Sequence, residues 1–73
     1  MAKFPDRLWS LRTAANMTQS ELADTINASR RSVAAWELGE KSPTCEKLSA
    51  LAVFFNVSAD YLLGLTDKKK TIA

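Results

Sequence analysis

Histidine is absent from this 73-residue chain, and Cys45 is its lone cysteine. A zinc site built on imidazole and thiolate therefore has no ligand set to draw on, and no disulfide can close within the chain, so nothing suggests an oxidising compartment. General acid–base or nucleophilic catalysis through an imidazole is excluded as well. Only two glycines and two prolines occur, too few for a loop-rich or all-β fold or for a phosphate-binding glycine loop. The carboxylates are scattered rather than paired. No apolar run approaches the roughly 20 residues that span a bilayer, and no signal peptide leads the chain. The expected protein is a non-enzyme without metal or cofactor, located in the cytoplasm.

What is present is enough apolar material to fold. Hydrophobic residues make up 47% of the chain, which suits one small domain with a single core. The net charge is +2, but Lys68, Lys69 and Lys70 supply three of the ten basic groups. Residues 1–67 carry seven basic and eight acidic groups, a balance of −1. Bulk charge thus makes no case for a nucleic acid partner; such a case must rest on where individual charges lie.

The local signals describe five short helices. Pro5 suits a first helical position and Asp6 suits the positive end of the helix dipole. Phe4, Leu8, Leu11 and Ala15 recur at helical spacing, predicting a helix over about 5–15. Thr18 and Glu21 form a capping box for a second helix, whose inward face is Leu22, Ala23 and Ile26. Asn27 tolerates the left-handed conformation of a tight turn. Ser29 caps a third helix, from which Val33 and Trp36 point inward and which Gly39 closes. After a polar loop over 40–43, Thr44 caps a fourth helix with the stripe Leu48, Leu51, Ala52 and Phe55. Ser58 caps a last short helix carrying Tyr61, Leu62 and Leu63, ended by Gly64. The expected domain is 1–67, and 68–73 reads as a frayed basic tail.

The run from Thr18 to Gly39 reads as two helices joined by a tight turn, the second with two arginines just after its cap. That is the layout of a helix-turn-helix, which sets a helix end into the DNA major groove. Met17-Thr18-Gln19-Ser20-Glu21-Leu22-Ala23, Ser29-Arg30-Arg31-Ser32-Val33 and Trp36-Glu37-Leu38-Gly39 carry a wider resemblance. They are followed by Pro43, Leu51-Ala52 and Asn56-Val57-Ser58-Ala59-Asp60-Tyr61-Leu62-Leu63-Gly64. In this order and spacing the chain resembles the phage-repressor and Cro-type (XRE-like) helix-turn-helix family over roughly 4–66. The resemblance implies an all-α, compact five-helix bundle of the lambda-repressor type. One departure is Asn27, where the family usually has glycine.

Arg30 and Arg31 project from the first turn of the third helix. Arginine can grip guanine O6 and N7 with two parallel hydrogen bonds, or a phosphate. Cations sit badly at the positive end of a helix dipole, which argues against a purely structural role. Ala35 could offer its methyl to a thymine methyl, or simply favour the helix; Ala34 reads better as such a filler. The resemblance places Gln19 on the DNA backbone, and Ser32, Lys41, Ser42 and Thr44 are further phosphate candidates. It also implies an ion pair between Arg12 and Glu37 that ties the first helix to the third. Trp9, Val53 and Phe54 fall off the inward stripes and either cover core edges or form a subunit contact. Cys45 reads as a small residue in a helix first turn.

The function expected is sequence-specific binding of double-stranded DNA by a transcriptional regulator, a repressor that binds a palindromic operator as a homodimer. Arg30, Arg31 and Ala35 would read bases, while Gln19, Ser32, Lys41, Ser42 and Thr44 would hold phosphates. Two alternatives stand beside it: an antitoxin-type regulator working with a protein partner, and a protein-interaction module that kept the fold without DNA binding.

Overall fold

A computed structural model describes residues 2–70 of the chain. It contains helices α1 (Phe4–Ala14), α2 (Gln19–Thr25), α3 (Arg30–Leu38), α4 (Cys45–Phe55) and α5 (Ala59–Leu62), and no strand among the described residues. None of these helices is long and apolar enough to cross a membrane.

Each helix start after the first is fixed by a hydroxyl. The side chains of Thr18, Ser29, Thr44 and Ser58 accept from the backbone N–H of Glu21, Ser32, Lys47 and Tyr61, relieving donors that have no partner in the first turn. At α2 the capping box is complete: Thr18 N–H donates to Glu21 Oε1 at 2.8 Å, and Glu21 N–H donates to Thr18 Oγ1 at 3.0 Å.

The exits follow one pattern. A residue with left-handed backbone succeeds each helix: Asn16, Asn27, Gly39, Asn56 and Gly64, with φ between 56° and 78°. The next N–H then reaches back five residues to a helical carbonyl: Met17 to Arg12, Ala28 to Ala23, Glu40 to Ala35, Val57 to Ala52 and Leu65 to Asp60, at 2.8–3.1 Å. This is the Schellman closure, which satisfies carbonyls that a helix end leaves free. At Gly64 the lack of a side chain is also steric, since a Cβ there would lie 2.5 Å from the Ala2 carbonyl oxygen.

The core gathers Phe4 and Leu8 from α1, Leu22, Ala23 and Ile26 from α2 and its exit, Val33 and Trp36 from α3, Leu51 from α4 and Leu62 from α5. Leu11, Leu48, Ala52 and Phe55 pack against it. Each helix alone is too short to be stable in water, so this shared burial supplies most of their stability. α3 packs on both α1 and α2, which presents its remaining side as a rigid surface.

Some boundaries differ from the expectation. α1 begins one residue earlier, at Phe4, because Pro5 is tolerated anywhere in a first turn. α5 stops at Leu62, leaving Leu63 as its exposed cap residue. The start of the expected tail folds back: the Ser58 N–H, left free at the start of α5, donates to the Lys69 carbonyl. Residues 71–73 of that tail lie outside the described residues.

Candidate nucleic-acid interface

Arg30 and Arg31 occupy the first two positions of α3 and are both exposed. Neither makes an ion pair or side-chain hydrogen bond with the described residues, so both guanidinium forks are free. No acidic side chain stands in that first turn to offset them. Beneath them the turn is stiffened twice, by Ser29 Oγ accepting from Ser32 N–H at 3.1 Å and by Ser29 Oγ–H donating to Ser32 Oγ at 3.0 Å.

A cleft between α3 and α4 borders this helix. It is lined by Ser32, Trp36, Lys41, Ser42, Thr44 and Lys47, with Ala28 and Glu46. Four phosphate candidates, Ser32, Lys41, Ser42 and Thr44, thus share one concavity. The Thr44 oxygen is engaged in capping α4, but a hydroxyl that accepts one bond can still donate another. Lys47 had no sequence signal. Its Nζ donates to the carbonyls of Ile26 and Asn27 at 3.2 and 2.6 Å, pinning α4 to the turn between α2 and α3. Its partners lie about twenty residues away, so no local pattern betrays it.

Gln19 starts α2 on the other side. Its Nε2 donates to Glu37 Oε1 at 3.1 Å. Glu37 is also held by Arg12, whose Nε and Nη2 reach Oε2 and Oε1 at 2.6 and 2.9 Å. Both side chains are largely buried, 12% exposed for Arg12 and 6% for Glu37. Donating to the Glu37 carboxylate raises the pKa of the guanidinium above its ordinary value, outweighing the opposing effect of burial. Arg12 Nη1 also donates to the Met17 carbonyl at 2.7 Å, so one side chain joins α1, the entrance to α2 and the end of α3.

Ala35 departs from the expected arrangement. It is 8% exposed, because α3 is covered from two sides and its short side chain falls within the covered arc. Its methyl has little surface to offer a base. The off-stripe residues are more open: Trp9 is 55%, Val53 81% and Phe54 43% exposed, and the Phe54 ring meets the Phe55 ring edge-on with centroids 5.0 Å apart.

Arg7 lies three residues after Phe4 and on the inward face with Leu8, its only mark in the sequence. It is buried. Its Nη1 donates to the Tyr61 and Thr66 carbonyls at 3.0 and 2.6 Å, and its Nη2 to Asp67 Oδ1 at 2.7 Å. The guanidinium carbon also lies 3.9 Å from the Tyr61 ring centroid, a favourable cation–π distance. This cluster fastens α1 to the end of the domain and contains none of the candidate interface residues.

Comparison with known proteins agrees with the geometry. A family described as helix-turn-helix matches residues 10–62, and the chain belongs to that family, in its XRE-like branch. It is 39% identical over 62 residues to the HTH-type transcriptional activator BcrR of Enterococcus faecalis, covering 85% of this chain and 30% of that protein. It is 43% identical over 61 residues to the HTH-type transcriptional regulator YobD of Bacillus subtilis, covering 84% and 54%. The chain thus spans about a third to a half of these relatives. Among solved structures, the P22 c2 repressor in complex with a synthetic operator superposes with a TM-score of 0.82 at 28% identity, covering 86% of this chain and 96% of that one.

Proposed function

We propose that this chain binds double-stranded DNA in a sequence-specific way and acts in transcriptional regulation as a repressor. The free pair Arg30 and Arg31 on the first turn of α3 carries this reading. Two exposed guanidinium forks at the positive end of a helix sit against its dipole, which argues against a purely structural role, and they suit guanine edges in a major groove. Gln19 on one side, and the cleft of Ser32, Lys41, Ser42 and Thr44 on the other, would grip flanking phosphates and set the register. The likeness to a repressor bound to its operator supports the same placement.

One such domain touches few base pairs, so useful affinity calls for two copies on a two-fold site. Exposed Leu63 and Leu65 near α5, together with Trp9, Val53 and Phe54, are the candidates for the contact between copies. Work on DNA would place the protein in the cytoplasm. Selection from random duplex DNA tests the proposal. The expected result is a palindrome whose half-sites are centred about one helical turn, roughly 34 Å, apart. No enrichment would refute DNA recognition, and a single isolated half-site would refute the dimer. A reporter placed behind the selected site should fall in output when the protein is made; a rise would make it an activator.

A further inference from the structure

We infer that Glu37 is a positioning residue for DNA binding: anchored by Arg12, its carboxylate orders the Gln19 amide so that a free N–H meets a backbone phosphate. This rests on the DNA-binding reading above and adds a residue that would not itself touch DNA.

The geometry leaves the Gln19 amide one way round. Glu37 Oε1 is an acceptor and nothing else, so the Gln19 group facing it at 3.1 Å must be the NH₂. One N–H of Gln19 is then committed inward, and its second N–H and its carbonyl oxygen remain. Gln19 is only half-buried, so these groups can be reached. Arg12 contributes in two ways. Its two bonds to Glu37 fix the carboxylate, and the bond to the Met17 carbonyl fixes the backbone two residues before Gln19. A bare carboxylate at this place would also repel a phosphate, and the guanidinium cancels that charge. A long side chain ordered in advance loses less freedom when it binds.

The test uses the duplex that the wild-type protein selects from a random pool. Gln19→Ala should weaken binding about three- to tenfold, the worth of one hydrogen bond. Replacing the pair together, as Arg12→Met with Glu37→Met, strands no charge and leaves the net charge unchanged. That protein should melt near the wild-type temperature yet bind as weakly as Gln19→Ala. Adding Gln19→Ala to it should then cost nothing more. Wild-type affinity in the two-methionine protein, or a full additional loss on adding Gln19→Ala, would overturn the inference. A measurement without any variant guards against misfolding. In the free wild-type protein the heteronuclear NOE of the Gln19 side-chain amide should match that of the helical backbone, and a freely mobile amide would equally overturn it. If the wild type selects no duplex at all, the DNA-binding reading itself fails, an outcome distinct from these.

Discussion

The chain has four arginines, and they fall into two contrasting pairs. Arg7 and Arg12 on α1 are sunk among carbonyls and carboxylates, with donors engaged by Tyr61, Thr66, Asp67, Met17 and Glu37. Arg30 and Arg31 on α3 are exposed and unengaged. The same functional group therefore does opposite work in two regions about twenty residues apart. In α1 its charge is consumed in holding helices together; on α3 it is left for something outside the protein. Net charge cannot register this difference, which is why a domain of −1 over residues 1–67 can still present two free cations side by side.

The contrast is testable, because substitutions that strand a charge in the first region should register first in stability, while those in the second should register in binding alone. The largest effect is expected for Glu37→Ala, which strands the Arg12 charge in a largely buried site and should cost about 3–5 kcal/mol of folding stability. For a domain of this size that is a large share of a total of about 4–11 kcal/mol. Arg7→Ala should cost about 2–4 kcal/mol, since two carbonyls lose a charged donor and a cation–π contact goes with them. The Asp67 end of that cluster, 81% exposed, should add little. Urea or thermal melts check both.

Arg30→Ala and Arg31→Ala should leave the melt unchanged or slightly raised, as a repulsion with the helix dipole is relieved. The one that reads a base should lose about 1–3 kcal/mol of binding to the selected duplex and relax preference at one position. If both keep full discrimination in titrations against a scrambled duplex, the division between held and free arginines is wrong. Lys41→Ala should be the mildest, weakening selected and scrambled duplexes alike and shallowing the salt dependence by about one unit.

These two regions also differ in how far the sequence revealed them. Hydroxyl caps at Thr18, Ser29, Thr44 and Ser58, and apolar stripes through Leu8, Leu22, Val33 and Leu51, are local patterns, so the helices were legible from spacing alone. Arg30 and Arg31 were legible because their position relative to Ser29 is local too. Arg12 with Glu37 is separated by 25 residues, and only the family resemblance suggested it. Arg7 and Lys47 bond to backbone carbonyls, which leave no mark in the sequence. The burial of Ala35 escapes the sequence, because helical period gives a direction but not the width of the arc that two neighbouring helices cover.

The five helix exits hold a different lesson. A chain with two glycines still makes five left-handed turns among its described residues, and three of them are asparagine. At 16, 27 and 56 the two residues trade against each other: glycine would relieve strain in the folded chain while widening the freedom of the unfolded one. Related sequences can therefore drift between asparagine and glycine at these corners with the helices kept in register. At 64 that drift is closed, because the neighbouring Ala2 carbonyl leaves no room for any side chain.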